Sequence, residues 1–216
     1  MDNLHIATIA IIVANVLVSL KGFNDTSFFE RYKFSVGGIK TGQKERMLSS
    51  GFLHVDFSHL IFNMLTLYFF ADVVIHQFGP SKFLLIYFIS LIGGSLLALF
   101  FHKDEPYYSA VGASGAVTGV LYAAILLQPN MTLGIMFIPI PLPAYVVGIG
   151  YLLYSIYGMK SRIGNIGHTA HFGGAIGGYV TTLLFMPNLL VTDTLMVVLL
   201  ALPIVILFVM QKMGKI

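Results

Sequence analysis

Long apolar runs alternate along this chain with short polar or glycine-rich breaks. Mostly apolar stretches cover about 4–21, 53–76, 82–102, 113–128, 141–158, 168–187 and 191–211. A helix needs roughly 20 apolar residues to cross the hydrocarbon core of a bilayer, so each stretch predicts one span. The first stretch lacks a basic leader and a small-residue cleavage site, so it reads as a retained helix and not a signal peptide. Residues 22–52 are polar, mixed in charge and rich in aromatics (Phe23, Phe28, Phe29, Tyr32, Phe34). Such a segment is predicted to fold against the membrane surface. Met131–Pro143 is apolar but carries Pro139, Pro141 and Pro143. Alternate prolines break a helix, so the fifth span is expected to begin only after them.

Composition agrees with this pattern. Of the 216 residues, 57% are hydrophobic and only 10% charged, against about 25% charged in a soluble domain. Too few polar groups remain to cover a globular surface, so lipid must be part of the solvent. The expected fold is all-α and polytopic: a single domain over 1–216, with a six-helix core over about 4–187 and a seventh helix over about 191–211. There is no cysteine, which excludes disulfides, thiolate zinc sites and a cysteine nucleophile. The formal charge is only +3. No dense basic run points to nucleic acid.

Glycine clusters in two places. Gly112, Gly115 and Gly119 flank Ser114, and Gly173, Gly174, Gly177 and Gly178 follow His171. In lipid, helices associate through close backbone packing, which small residues permit. The simplest geometry packs the fourth span on the sixth and brings Ser114 to His171. Plain packing, with no catalytic meaning, is the alternative for these glycines.

Ionisable and polar groups at membrane depth are costly and are functional candidates by default. A serine hydroxyl is a weak nucleophile without a base, and His171 can take its proton at neutral pH. No carboxylate lies in the spans that carry Ser114 and His171, which favours a dyad. In the second span His59 and Asn63 are four apart and share one helix face, with Asp56 one turn earlier. Two neutral donors on one face could stabilise an oxyanion in a water-poor site; interhelical bonding is the plain alternative. His54 is rotated away, nearer the surface. His168 reads as an interfacial or hydrogen-bonding histidine, His76 and His102 as interfacial, and Asp72 as structural, with His76 its candidate partner. His54, His59, His168 and His171 have no HExxH spacing and no carboxylate to complete a zinc-hydrolase triad. Neither a metal nor another cofactor is expected.

Together these residues resemble the rhomboid family of intramembrane serine proteases. The matching pieces are His54-x4-His59-x3-Asn63, Gly112-x-Ser114-Gly115 and Ala170-His171-x2-Gly174, in the second, fourth and sixth spans, with Arg46 eight residues before His54. The resemblance covers roughly 40–187. It implies that Ser114 is the nucleophile and His171 the general base and then acid. His59, Asn63 and the Ser114 backbone N–H would form the oxyanion hole. His54 and Arg46 would support the second span and first loop, Gly112 and Gly115 the geometry around the nucleophile, and Gly174 the contact between spans. The implied partners are the lipid bilayer and transmembrane protein substrates, which would enter laterally past the second and fifth spans, with the 159–167 loop as a cap. The residues specify no oligomeric state. Two positions depart from the family. Thr118 stands where an aromatic often packs on the catalytic imidazole; a ring left loosely held there would lower activity. Glu45 stands where the first loop often has Trp.

Orientation is contested within the sequence. On the expected spans the first-loop side collects Lys21, Arg31, Lys33, Lys40, Lys44, Arg46, Lys103, Lys160, Arg162, Lys212 and Lys215, and the opposite side only Lys82. The positive-inside rule would put the first loop in the cytoplasm. The resemblance implies the reverse, a site opening to the extracytoplasmic side of the cell (inner) membrane, and that orientation is the one expected here. The competing functional readings are a non-catalytic rhomboid-like protein that binds membrane clients, and a small transporter or channel. The first has no need of the full set Ser114, His171, His59 and Asn63. The second leaves Gly112-Ala113-Ser114-Gly115 unexplained.

Overall fold

The computed structural model describes residues 4–135, 138–161 and 167–216. Among the described residues, seven longer helices stand where the apolar stretches predict spans. They are α1 (Ile6–Asn24), α5 (Phe57–Phe78), α6 (Pro80–Phe101), α7 (Ser114–Leu127), α8 (Ala144–Ser161), α9 (His168–Phe185) and α11 (Thr194–Lys212). Short helices α2 (Thr26–Tyr32), α3 (Val36–Lys40), α4 (Arg46–Ser49) and α10 (Leu189–Thr192) fill the joins. Among the described residues, α1, α5, α6 and α11 are long and apolar enough to cross a membrane. The chain is an integral membrane protein with a helical fold.

Helix α7 is the exception in length and burial. It has only 14 residues, and its buried face runs almost all the way round, from Gly115 to Leu126. A helix hydrophobic on every side belongs in a core. At about 1.5 Å per residue α7 rises roughly 21 Å, short of a core about 30 Å thick. Its first residue, Ser114, is therefore placed below the membrane surface when its last turn reaches the other side.

Around α7 pack α5, α6, α8 and α9, with α6 and α9 making the most extensive contact in the molecule. Glycine makes this possible. A Cβ on Gly174 would overlap the Gly115 carbonyl, one on Gly178 the Gly119 carbonyl, and one on Gly173 the Gly93 carbonyl. The predicted pairing of the fourth and sixth spans is thus present. It is extended by α6 through Gly93 and Gly94, which the sequence reading passed over. α11 packs on α8, and the Tyr179 hydroxyl of α9 donates to the Val197 carbonyl of α11 at 2.8 Å.

The long first loop is folded, and a short antiparallel pair ties it down. β1 (Phe34–Ser35) pairs with β2 (Ser109–Ala110), which lies just before Ser114. Asp25 caps α2 by accepting from the Phe28 N–H at 2.9 Å. Its ion pair with Lys21 holds its carboxyl below the usual carboxylate range. The loop's aromatics pack in pairs: Phe23 on Phe57, Phe28 on Tyr32, Phe34 on Tyr108.

The segment before α8 differs from expectation. It is not merely a proline-broken stretch: β3 (Thr132–Ile135) pairs antiparallel with β4 (Ile138–Pro143). Prolines two apart put every missing N–H on the same edge of a strand, which a two-stranded pair tolerates. Helix α8 begins directly after Pro143, as predicted. Asp72 lies on an exposed face of α5, and no ion pair joins it to His76 among the described residues. Residues 162–166, which include Arg162 and most of the expected cap, lie outside the described residues, as does Asp2.

Candidate active site

Three elements meet at Ser114. The hydroxyl Oγ lies 2.8 Å from His171 Nε2. Ser114 is partly accessible and is the first residue of α7; His171 is buried in the first turn of α9. The glycine contacts between α7 and α9 set this distance, because a Cβ at Gly174 would overlap the Gly115 carbonyl and separate the two backbones. Ser114 also inherits the chemistry of a helix start. The first N–H groups of a helix have no intrahelical partner and carry the positive end of its dipole, so anionic oxygen is favoured there.

Gly112 fits the turn for two reasons. Its φ is +129°, which disfavours other residues, and a Cβ there would stand 2.6 Å from His59 Cε1. The His59 ring is thereby brought against the segment that leads into Ser114. His59 lies in the first turn of α5, and Asn63 one turn later donates to the His59 carbonyl at 2.9 Å. Asp56, expected on the same face, is the N-cap of α5: its carboxylate accepts from the His59 N–H at 2.7 Å. This fixes the start of the helix and so the position of His59.

His54, just before the start of α5, is wholly buried within the protein. The reason is its bonding. Its Nε2 accepts from the Ala113 N–H at 3.3 Å, and its Nδ1 stands 2.8 Å from Ser19 Oγ. The Ser19 hydroxyl donates to the Phe52 carbonyl at 3.0 Å, so Nδ1–H must be the donor to Ser19. One imidazole thus joins α1 to the residue before Ser114. Arg46 does similar work in the first loop. Its guanidinium donates to the carbonyls of Glu30 and Lys33, both at 2.9 Å, and to Gln43. The Gly112 N–H donates to the Ser50 carbonyl at 3.0 Å.

A feature absent from the sequence reading completes the surroundings of His171. The Tyr151 hydroxyl of α8 lies 2.7 Å from His171 Nδ1, and the rings stack at 5.5 Å and 27°. The ring faces a tyrosine from another helix, where Thr118 supplies no aromatic. Spacing could not single this residue out, because α8 also carries Tyr145, Tyr154 and Tyr157. His168 is buried as well, its ring edge-on to Tyr154 and to His171. Gly158 leaves room for that ring: a Cβ there would stand 2.2 Å from His168 Nε2. His102 stacks on Tyr108 at 3.6 Å and approaches Glu105 and Thr169. Among the described residues no three His, Cys, Asp or Glu side chains are grouped to hold a metal ion.

Behind Ser114 lies a cavity of about 40 Å³, lined by Ser50, Ser95, Gly112 and Ala170 among others. One water needs roughly 10–15 Å³ by this measure, so the space suits two or three. Chemically the site offers a hydroxyl paired with an imidazole, a helix start, a further imidazole at Gly112 and room for water. That is a set suited to acyl transfer to Ser114 followed by hydrolysis.

Known proteins are similar to this chain across the residues of the site. The rhomboid domain family matches residues 41–188, which include Arg46, His54, His59, Asn63, Ser114 and His171. "RHOMBOID-like protein 12, mitochondrial" of Arabidopsis thaliana is 31% identical over 184 residues, covering 77% of this chain and 54% of that protein. "Rhomboid protease GluP" of Bacillus subtilis is 35% identical over 143 residues, covering 65% and 26% respectively. "Inactive RHOMBOID-like protein 8" of Arabidopsis thaliana is 32% identical over 152 residues, covering 67% and 39%. The chain thus spans about half the length of the first relative and less of the others. With the family matching across more than half of its length, the chain belongs to the rhomboid family.

Proposed function

We propose that this protein is an intramembrane serine endopeptidase that hydrolyses peptide bonds in or near transmembrane segments of membrane proteins, acting as one domain without a cofactor. The observation that carries the reading is the 2.8 Å contact between Ser114 Oγ and His171 Nε2 at the head of a short, buried helix. Ser114 Oγ attacks the scissile carbonyl carbon while its proton passes to His171 Nε2. The tetrahedral oxyanion is received by the Ser114 N–H with His59 and Asn63, where donors in a water-poor site count most. His171 returns the proton to the leaving amine, and the C–N bond breaks. Water then attacks the acyl-enzyme, with His171 again as base, and releases the new carboxylate and Ser114.

A helical substrate hides its carbonyls in its own hydrogen bonds, so it must unwind to reach Ser114. Lateral entry between α5 and α8, which share no extensive contact among the described residues, suits that need. Orientation belongs to the same proposal: the site opens to the extracytoplasmic side of a cell (inner) membrane. The names of the relatives do not choose among membranes, since they include a mitochondrial protein and a Bacillus protease.

The second reading is a rhomboid-like protein that binds clients without cleaving them. One relative named as inactive favours it; the retained Ser114–His171 pair opposes it. Reconstituted protein, mixed with a tagged single-span substrate carrying small residues in its helix, separates the two. Cleavage by the wild type and none by Ser114→Ala supports the peptidase. Binding with no cleavage over a panel of such helices would leave the client-binding reading standing.

A further inference from the structure

The start of α7 is held by a chain of hydrogen bonds whose direction is fixed at every link. The Ala113 N–H can only donate, and at 3.3 Å it meets His54 Nε2. That nitrogen therefore offers its lone pair, and in a neutral ring the hydrogen then sits on Nδ1. Nδ1 faces the Ser19 hydroxyl at 2.8 Å and donates to it. The single Ser19 proton goes on to the Phe52 carbonyl at 3.0 Å. A doubly protonated ring would set N–H against N–H at Ala113. Ser19 and His54 are both fully buried, so bulk water does not stand in for either bond.

What the chain holds is the approach to the nucleophile. Ala113 is the N-cap of α7, and its methyl side chain caps nothing. A Ser, Thr, Asn or Asp in that place would accept from the N–H two or three residues on and so occupy a donor at the head of the helix. Here His54 grips the cap residue by its own N–H, and the Ser50 carbonyl accepts from the Gly112 N–H at 3.0 Å. The backbone leading into Ser114 is thus fixed twice, and no cap side chain takes the N–H groups that follow. The same imidazole backs the proposed oxyanion donor: the His54 and His59 rings meet edge to face, 4.9 Å apart at 76°. Helix α1 comes close enough to take part because Gly22, one turn after Ser19, has no side chain. A Cβ there would stand 2.8 Å from Leu53 Cδ2.

We infer that Ser19 of α1 is a positioning residue: acting through His54, it holds Ala113 and so sets the start of α7 on which Ser114 sits. This rests on the serine chemistry proposed above. Ser19 lies outside every motif on which the family resemblance rests, and it touches none of the reacting atoms. It makes α1 a working part of the site, although that helix contributes nothing to the dyad or the oxyanion hole.

The test uses the full chain in lipid nanodiscs and compares Ser19→Ala with Thr8→Val, which removes another buried hydroxyl from the same helix. Thr8 Oγ1 has no hydrogen-bond partner among the described residues. Hydrogen–deuterium exchange read by mass spectrometry should rise over residues 110–116 in Ser19→Ala and stay at the wild-type level in α6 and α9. Ser114 should label with a fluorophosphonate about three- to tenfold more slowly, the loss expected when one buried hydrogen bond no longer holds a reacting group. For a model substrate kcat should fall with KM and thermal midpoint unchanged. Thr8→Val should match the wild type in every reading. Ser19→Ala with His54→Gln together should be no slower than His54→Gln alone, since both act through one chain. A wild-type labelling rate in Ser19→Ala, unchanged exchange over 110–116, or multiplying losses in the pair overturns the inference. So does a loss that comes with faster exchange throughout α1 and α5 and a lower midpoint, which would mark Ser19 as bundle support only. If Ser19→Ala does not fold, Ser19→Cys, similar in size and weaker as donor and acceptor, carries the decision by the same readings. Failure of the dyad itself looks different: the wild type then does not label at Ser114 at all, while exchange over 110–116 still shows whether Ser19 holds the turn.

Discussion

Ser114 and His171 are 57 positions apart in the chain and 2.8 Å apart in space. Their pairing was legible in the sequence because each is a costly group to place among apolar residues, and costly groups are kept for a use. His59, Asn63 and Arg46 were legible through the ordered motifs. Other roles left no trace in one dimension. Tyr151 is one tyrosine among four in its helix. Tyrosine is at home in a span, so it raises no flag. His54 was visible as a polar residue, yet its partners, Ser19 and the Ala113 N–H, come from chain 35 and 59 residues away. Asp56 looked like a face neighbour of His59, whereas its short carboxylate folds back onto the backbone as a cap. A capping role is a local backbone preference, and apolar periodicity does not report it.

At the scale of elements, what matters is how closely α6, α7 and α9 approach. The glycine stripe of α9 was readable as a packing surface, so the contact with α7 could be foreseen. The part played by α6 could not, because Gly93 and Gly94 look like any glycine pair in an apolar run. The β3–β4 pair was missed because proline weighs against strands as well as helices; only the spacing of two spares one edge. The seam itself makes a prediction. In Gly174→Ala the new methyl would overlap the Gly115 carbonyl, and backbone cannot step aside as a side chain can. Overpacking of this kind costs typically about 1–3 kcal/mol. Thermal unfolding in detergent should shift down, and activity should fall more than stability as Ser114 is pushed from His171. A variant with wild-type midpoint and rate would show that the seam does not position the dyad. Gly150→Ala, where a Cβ meets nothing within 4 Å, is the matched control.

For the whole molecule, the helix ends put the first loop, the Ser114 end of α7, the His171 end of α9 and the C-terminal end of α11 on one side of the bundle. Most of the lysines and arginines lie on that side too, against the orientation proposed for the site. The absence of cysteine makes this testable without background. A single cysteine at Lys44 or Lys103, exposed in the structure, should react with an impermeant maleimide in intact cells of a bacterial host. Reaction only after lysis would reverse the orientation and with it the accessible substrates, leaving the chemistry unchanged. The chemistry is the central claim, and one measurement reaches it most directly. The purified protein is treated with a fluorophosphonate and the modified residue is located by mass spectrometry. The account predicts a phosphonyl adduct on Ser114 in the wild type, none in Ser114→Ala and a severe loss in His171→Ala. A folded wild-type protein that stays unmodified at Ser114, in lipid as well as in detergent, or that labels equally well without His171, would contradict it.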